Sequence, residues 1–208
     1  MGASQSADPI PIANPASPAV SASGPLASTI TLGAGCYWGT EKYVRKDFQK
    51  RFPGSIKSAT VGFMAPDPSA VKNPSYEAVC SGRTGHVEVL EVELNDPNAH
   101  FEELIRFFYM FHDPTTKNRQ GNDVGTQYAS YIFTYDQKQE EIARKVTQQV
   151  QDSISRGTLN CFAGTDVKSK IGGATVFYAA EQEHQDYLAK HPNGYCNHYM
   201  RFKEFPQV

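Results

Sequence analysis

The stretch that most constrains this chain runs from Gly33 to Glu41 and reads Gly-Ala-Gly-Cys-Tyr-Trp-Gly-Thr-Glu. It follows a segment typical of a strand, Thr29 to Leu32, and precedes a segment with helical spacing, Glu41 to Phe52. Cys36 is therefore predicted at a strand-to-helix turn. Because the free N–H groups and the positive dipole end of a helix start favour a thiolate, we expect a lowered pKa for Cys36 and a reactive sulfur. The alternative is a small buried cysteine packed at the turn.

Length and composition predict one soluble globular domain with a tail. The 208 residues are 39% hydrophobic, 12% aromatic and 20% charged, and a net charge of -2 argues against nucleic-acid binding. No apolar run approaches the ~20 residues that a membrane-spanning helix needs. The four cysteines are too few for a disulfide scaffold and fit no zinc site, so we expect a reducing compartment and no metal. These cysteines are Cys36, Cys80, Cys161 and Cys196.

Residues 1–28 are mostly Ala, Ser and Pro and lack apolar periodicity, so they are predicted to form a disordered leader to a catalytic domain over residues 29–208. No basic region precedes an apolar one, and no Lys or Arg occurs before Lys42, so neither a secretory signal nor a transit peptide is indicated. The sequence thus predicts a cytoplasmic protein. Gly2 and Ser6 match the N-myristoylation pattern, and membrane contact is expected only if Gly2 is lipidated. The alternative is a chance match.

From Thr29 onward, short strand and helix patterns alternate. The segment His86 to Leu94 alternates as a strand and places Glu88 at the head of its more apolar face. A carboxyl group in such surroundings is predicted to have a raised pKa and to hold a proton near neutral pH. On the alternation alone, a solvated strand carboxylate is the competing interpretation.

Amphipathic helices are predicted over His100 to Phe111 and Gln137 to Ser155. The long polar segment between them, residues 112–128, is predicted to be an ordered loop lining a site. Less strongly patterned elements follow, ending in an irregular tail, residues 191–208, that carries Cys196. These elements are predicted strands over Ser55 to Gly62, Tyr131 to Tyr135, Asp166 to Ile171 and Ala174 to Tyr178, and a short helix over Ala180 to Lys190.

Several of these segments together resemble one known family, peptide methionine sulfoxide reductase A, over residues 29–199. The matching motifs occur in the family's order and include the Cys36 stretch. They are Gly35 to Glu41, Asn73 to Gly82, Thr84 to Val89, His112 to Thr115, Gln120 to Tyr128 and Asn193 to Cys196. The chain departs from the family where Tyr37 replaces a phenylalanine that usually follows the catalytic cysteine.

The resemblance implies a monomeric α+β fold, a two-layer α/β sandwich with a mixed sheet and a ferredoxin-like core. It implies reduction of the S epimer of methionine sulfoxide, free or in oxidised proteins, in a pathway of oxidative stress and protein repair. Cys36 would attack the sulfoxide and become a sulfenic acid, and Cys196 would then form a disulfide with Cys36. Thioredoxin would reduce that disulfide as an external reductant, without a bound cofactor. Cys161 is a weaker candidate for a second resolving thiol, and Cys80 is interpreted as packing.

The resemblance also assigns the side chains around the sulfoxide. Glu88 would protonate its oxygen, and Tyr76 and Tyr128 would donate hydrogen bonds to it. Asp123 would support the site through water and backbone contacts, and loop capping is the competing role.

An aromatic wall beside the sulfur would receive the substrate's methyl group, and Tyr37 and Trp38 would form it. His184 is interpreted as a packed histidine, and a metal site at His191, Cys196 and His198 is disfavoured because a fourth ligand is lacking. Two alternatives remain open: a cysteine hydrolase or acyltransferase, and an inactive module that binds oxidised methionine.

Overall fold

The computed structural model describes residues 24–206, so the predicted lipidation site at Gly2 lies outside the described residues. Eight strands and six α-helices occur in this part of the chain. The strands are β1 Thr29–Ala34, β2 Ile56–Met64, β3 Val87–Leu94, β4 Arg119–Gln120, β5 Asp123–Val124, β6 Ser130–Thr134, β7 Lys170–Gly173 and β8 Phe177–Ala179. The helices are α1 Tyr37–Lys42, α2 Gln49–Arg51, α3 Tyr76–Cys80, α4 Pro97–Phe111, α5 Gln137–Ser155 and α6 Tyr187–Lys190, with a π-helical turn over Tyr43–Phe48 and a 3-10 turn over Thr126–Tyr128.

Six strands form one mixed sheet in the order β7-β6-β1-β3-β2-β8. Only the β6–β7 pair of this sheet is parallel; its other pairs are antiparallel. Strands β4 and β5 form a separate two-stranded hairpin inside the long polar loop. The predicted α+β class with a mixed sheet is confirmed, whereas the ferredoxin-like description stays a prediction.

The main core lies between one face of the sheet and the buried stripes of α4 and α5. Both helices begin at an aspartate cap: Asp96 accepts the N–H of Ala99 at 3.1 Å, and Asp136 accepts that of Gln139 at 2.8 Å. Helix α4 presents Phe101, Leu104, Ile105 and Phe108 to the core. The opposite face of the sheet is covered by a smaller apolar cluster that includes Val87 and Val89.

The predicted alternation along β3 is confirmed and decides where Glu88 lies. Leu90, Val92 and Leu94 belong to the main core, whereas Val87 and Val89 belong to the cluster on the other face. Glu88 therefore lies on the helix side of the sheet. Strand β1 is hydrogen-bonded to β3 and ends at Ala34, which brings the Cys36 turn to the same side.

Several predicted boundaries were wrong for identifiable reasons. The helix predicted over Ala180 to Lys190 is confined to α6, because Asp186 is left-handed (φ 55°) and the Gln185 side chain bonds both the N–H and the carbonyl of Val61 at 2.9 Å. The strand predicted from Asp166 starts at Lys170, because the N–H of Lys168 donates instead to the Pro114 carbonyl at 2.7 Å.

Residues 24–28, predicted as part of the leader, pack on the domain. Leu26 is buried, and the N–H of Ala27 donates to the Asp136 carboxylate at 2.6 Å. The Gln139 side chain in turn donates to the Ala27 carbonyl at 2.9 Å. Ala27 thus contacts the start of α5, whereas the domain boundary at Thr29 stays a prediction. Within the described residues, no helix combines the length and apolar character needed to span a bilayer.

Candidate active site

Cys36 is the residue that caps the N-terminus of α1, with φ -54° and ψ 124°. The helix begins at Tyr37 and not at Glu41 as predicted, because the aromatic pair Tyr37-Trp38 forms its first turn. The N–H groups of Trp38 and Gly39 lie close enough to lower the Cys36 pKa, as expected at a helix start, although the thiol makes no capping hydrogen bond. The side chain is only 7% exposed, so the sulfur lies at the edge of the core.

The Glu88 carboxyl group lies beside this turn and is 2% exposed. It accepts the backbone N–H of Tyr37 at 3.1 Å, so the helix start that carries Cys36 also holds the carboxyl group. Burial raises the pKa of Glu88 to about 8; the Asp123 charge adds to the effect, and hydrogen bonds from Tyr37 and Cys36 oppose it. The predicted rise of the Glu88 pKa is confirmed, and the group is protonated at neutral pH.

The lowered pKa predicted for Cys36 was wrong. Burial raises its pKa well above the ordinary value, and the neighbouring Glu88 charge raises it further. The N–H groups of Trp38 and Gly39 lower it, but they do not outweigh the lost solvation. Cys36 and Glu88 therefore lie close together and are both protonated in the resting protein. The thiol must pass its proton on when it attacks.

Tyr76 is on α3 and Tyr128 is on the 3-10 turn, and both lie close enough to Glu88 for its charge to affect their pKa values. Burial raises the pKa of both phenols, and the Glu88 charge adds to it, so both keep their O–H groups as donors. Cys80, one helical turn after Tyr76 on α3, contributes to the raised pKa of that phenol. The interpretation of Cys80 as a packing residue stays a prediction.

The two aromatic residues after Cys36 occupy different environments. Tyr37 is 1% exposed, with its ring centre 5.8 Å from those of Phe63 and His184. Trp38 is half-buried and stacks on Tyr187 with ring centres 3.8 Å apart. His184, predicted as a packed histidine, lies against Trp38 and Tyr37 as expected. Trp38 can therefore contact a ligand directly, whereas Tyr37 supports the wall from behind.

Asp123 connects the polar loop to the C-terminal tail. Its carboxylate accepts the Tyr195 hydroxyl at 2.9 Å and the Asn197 side-chain amide at 3.0 Å, and Asn197 also donates to the Gln120 carbonyl at 3.2 Å. Its charge raises the pKa values of Glu88 and Cys36, which places it near both. The two tail residues that bond Asp123 flank Cys196 on either side.

The tail is fixed on the Cys36 turn by a second set of contacts beyond Cys196. The His198 ring is 6% exposed, and its Nε2–H donates to the Ala34 carbonyl at 2.6 Å. The Tyr43 hydroxyl donates to the His198 carbonyl at 3.2 Å. The tail is irregular, as predicted, but in this conformation it is held against the site and does not swing free of it.

All four cysteines are free thiols in this conformation. Cys161 is half-buried, and its carbonyl accepts the Arg201 guanidinium at 3.2 Å. Among residues 24–206, no group of three or more His, Cys, Asp or Glu side chains is arranged to hold a metal ion.

Four residues that contribute to this arrangement were not singled out for it from the sequence. Gly39 makes room for a buried histidine, and the other three belong to the tail: Tyr195, Asn197 and His198. One signal was present, because Gly39 lies in the first turn of a helix where no tight turn requires glycine. No pattern along the chain indicated which distant residue fills that space.

Comparisons with known proteins agree with the geometry. The family model described as peptide methionine sulfoxide reductase matches residues 28–206. The peptide methionine sulfoxide reductase MsrA of Polynucleobacter asymbioticus is 39% identical over 173 residues, covering 83% of each chain. MsrA of Methanoculleus marisnigri is 41% identical over 166 residues, covering 80% of this chain and 92% of the other.

Solved structures give the same result. The reduced form of Mxr1 from Saccharomyces cerevisiae is 36% identical, with a TM-score of 0.72, covering 84% of this chain and 92% of that one. Mxr1 has also been solved in complex with Trx2, and that structure resembles this chain with a TM-score of 0.51 at 24% identity. The match of the family model to nearly the whole described region, joined to relatives at about 40% identity, shows that this chain belongs to the peptide methionine sulfoxide reductase family of enzymes.

Proposed function

We propose that this enzyme reduces the S epimer of methionine sulfoxide by oxygen transfer to Cys36. Methionine sulfoxide reduction is the activity of the family, and the epimer and the individual residue roles are our proposal. Glu88 gives its proton to the sulfoxide oxygen while Cys36 Sγ bonds to the sulfur and gives its own proton to Glu88, which leaves a sulfurane with an S–S bond and a hydroxyl on the substrate sulfur. The S–S bond then breaks as the hydroxyl moves to Cys36 Sγ, so methionine leaves and Cys36 becomes a sulfenic acid.

The observation that carries this proposal is the buried, protonated pair of Glu88 and Cys36. A sulfoxide is neutral, and protonation of its oxygen makes the sulfur electrophilic enough for a thiol to attack. Burial keeps the proton on Glu88 with a pKa of about 8, and the Tyr37 N–H fixes the carboxyl group at 3.1 Å. A cysteine hydrolase would instead need a histidine base beside the thiol, whereas the titratable side chain that most affects the Cys36 pKa is Glu88.

The substrate is held by groups that surround this pair. Tyr76 and Tyr128 keep their hydroxyl protons and donate to the sulfoxide oxygen. The half-buried Trp38 receives the S-methyl group, since sulfur and methyl groups pack favourably against aromatic rings. Tyr37 supports that wall from the core. Asp123 keeps the loop and the tail in place and raises the Glu88 pKa.

Cys196 completes the cycle. Its thiol attacks the Cys36 sulfenic acid, one S–S bond forms, and one water leaves. Two electrons from an external dithiol then restore both thiols, and we propose thioredoxin as that dithiol, supported by the structure of Mxr1 in complex with Trx2. No bound cofactor takes part. Cys161 and Cys80 are not required in this scheme.

We further propose that the protein acts in the cytoplasm as a monomer on free and protein-bound methionine sulfoxide. The leader carries no targeting pattern, and its Gly2 matches the pattern for myristoylation. Membrane contact would follow only from that modification. The intact mass of protein made in its native host tests it, since an unmodified N-terminus sinks the lipidation proposal.

The proposed reaction is tested with a racemic methionine sulfoxide peptide and thioredoxin with its reductase. We expect the S epimer to be consumed and the R epimer to remain, as read by chiral chromatography. Consumption of the R epimer at the same rate would contradict the assigned stereochemistry. The same assay with dithiothreitol in place of thioredoxin tests oxygen transfer independently of the proposed reductant.

A further inference from the structure

His198 occupies a position in the tail that the chemistry described above does not use. Its ring is 6% exposed and lies on Phe111, with ring centres 5.7 Å apart. Its Nε2–H donates to the carbonyl of Ala34 at 2.6 Å, two residues before Cys36. A residue 162 positions later in the chain is thus anchored directly on the nucleophile's turn.

Gly39 shows that the turn is shaped for this ring. A Cβ atom at Gly39 would overlap the His198 imidazole, and its nearest three contacts are all atoms of that ring. The residue lies in the first turn of α1 and does not have a left-handed backbone. Glycine is unfavourable in a helix relative to alanine, so its presence here is explained by the space that His198 needs.

The backbone of His198 also orients the second cysteine. The Cys196 thiol donates to the His198 carbonyl at 3.8 Å, and the Tyr43 hydroxyl donates to the same oxygen at 3.2 Å. A single residue therefore bonds the Cys36 turn through its ring and holds the Cys196 sulfur through its carbonyl. His198 therefore connects the Cys196 thiol, which bonds its carbonyl, to the Cys36 turn, which its ring contacts.

We propose that His198 is a positioning residue for the recycling half of the reaction. Its ring docks the tail on the Cys36 turn so that Cys196 can attack the Cys36 sulfenic acid, forming the S–S bond and releasing water. This inference rests on the proposed role of Cys196. It assigns His198 no part in oxygen transfer, because its ring bonds a backbone carbonyl and not the thiol.

The charge state of His198 is consistent with an anchor. Burial lowers its pKa to about 4, and the Arg201 and Lys42 charges lower it further, while the bond to Ala34 opposes the shift. The ring is therefore neutral at physiological pH and carries a single N–H, which the Ala34 carbonyl accepts. A neutral ring can fill an apolar space beside Phe111 without the cost of burying a charge.

The test separates the two half-reactions in a single turnover. The full-length protein is reduced, freed of reductant and mixed with a methionine S-sulfoxide peptide. Methionine formed per chain reports oxygen transfer, and alkylation of the four thiols followed by mass spectrometry reports disulfide closure. The variants are His198→Ala, Gly39→Ala and their double variant. His191→Ala is the control, because His191 is an exposed histidine of the same tail.

We expect His198→Ala to form methionine at the normal rate and to close the Cys36–Cys196 disulfide about tenfold or more slowly. Gly39→Ala should slow closure similarly by expelling the ring, and the double variant should be no slower than either single variant, since both changes break one contact. His191→Ala should match the wild type. His198→Gln, which keeps an N–H donor, should recover part of the closure rate.

Three results would overturn the inference. Closure at the wild-type rate in His198→Ala would show that the anchor is dispensable. Equal loss of methionine formation and closure would show that His198 supports the whole site. Additive losses in the double variant would separate Gly39 from His198. Wild-type protein that forms methionine but no Cys36–Cys196 disulfide would instead contradict the proposed role of Cys196. Should His198→Ala fail to fold, Gly39→Ala and His198→Gln provide the same measurements.

Discussion

The two cysteines assigned to the reaction lie in opposite kinds of structure. Cys36 joins a central strand to a helix and is 7% exposed, with its neighbours fixed by backbone bonds of β1 and α1. Cys196 is half-buried in a tail without regular secondary structure beyond α6. Around Cys196 that tail is held by polar contacts to Asp123 and Ala34, and beyond them by the buried ion pair of Arg201 with Asp113.

This difference matches what each step needs. Oxygen transfer needs a dry site, because only a desolvated Glu88 keeps its proton at neutral pH. Recycling needs a thiol that approaches Cys36 and then offers its disulfide to an external reductant. The irregular residues around Cys196 can release their few hydrogen bonds and expose a disulfide at lower cost than residues of a central strand or helix can. The desolvated site for oxygen transfer and the thiol that an external reductant must reach thus lie in two different regions.

The largest effect is expected from Cys36→Ser. A serine hydroxyl cannot accept the oxygen as a sulfenic acid, so methionine formation should fall to background with thioredoxin or with dithiothreitol. The measurement is steady-state methionine release. Cys161→Ser is the matched control and should keep full activity. Multiple turnover by Cys36→Ser would end the proposed chemistry.

The next largest effect concerns only the tail. Cys196→Ser should lose turnover with thioredoxin and keep turnover with dithiothreitol, because a small thiol can reduce the Cys36 sulfenic acid directly. The ratio of turnover with thioredoxin to turnover with dithiothreitol in one assay shows whether Cys196 serves only the recycling step. Equal loss with both would show that Cys196 also serves oxygen transfer.

Glu88→Gln should slow oxygen transfer by about a hundredfold or more, because the amide cannot deliver the proton. The same variant should be more stable than the wild type at pH 9 and not at pH 5. The folded-state pKa of Glu88 is raised from 4.5 to about 8, so between these pH values the carboxyl group ionises in the unfolded chain but not in the folded protein. The wild type therefore loses stability as the pH rises from about 4.5 to about 8, and the uncharged glutamine does not. The gain should be roughly 1–3 kcal/mol in the free energy of unfolding by urea.

Glu93→Gln is the control for this comparison. Glu93 lies on the same strand but on its solvent side, where it pairs with Lys57 at 2.8 Å. Its loss should leave the rate unchanged and shift stability by no more than about 0.5 kcal/mol. If Glu88→Gln also left the rate and the stability unchanged, the Glu88 carboxyl group would have no part in the mechanism.

The pH dependence of oxygen transfer should show the same group. The single-turnover rate should fall as the pH rises above about 8, where Glu88 loses its proton. The expected slope approaches tenfold per pH unit for one required proton. Rapid-quench measurements between pH 6 and pH 10 test this. A rate that rises steadily through pH 10 would show that thiol ionisation alone controls the step.

The smallest effect is expected from Tyr195→Phe. It removes a half-exposed hydroxyl that donates to Asp123 at 2.9 Å, and Asn197 still bonds the same carboxylate. Disulfide closure should slow by only about two- to fivefold, with methionine formation unchanged. Tyr199→Phe is the control. A loss as large as that of His198→Ala would place the main anchor at Asp123 instead.

The sequence predicted the core side of the site better than the tail side. Alternation along β3 located Glu88 on the apolar face, because a buried strand leaves a direct period-two signal. Helix α5 was predicted with the bounds that the structure shows, since its apolar stripe and aspartate cap are both local signals. The motifs then indicated the family, which the comparisons confirm, and predicted the remaining site residues.

The errors came from properties that no local pattern carries. The Cys36 pKa was predicted to fall because a helix start is a local feature, whereas burial and the approach of Glu88 are tertiary and are stronger. The anchor at His198 depends on a contact with Gly39 and Ala34 across most of the chain. From the sequence, His198 was considered only as part of a disfavoured metal site.

The division of labour between the two regions is tested most directly by one turnover of Cys196→Ser in the absence of reductant. After mixing with a methionine S-sulfoxide peptide, the account predicts about one methionine per chain and a sulfenic acid trapped by dimedone on Cys36. The chain would then stay oxidised until dithiothreitol is added. Absence of methionine, or a trapped sulfenic acid on any cysteine other than Cys36, would contradict the account.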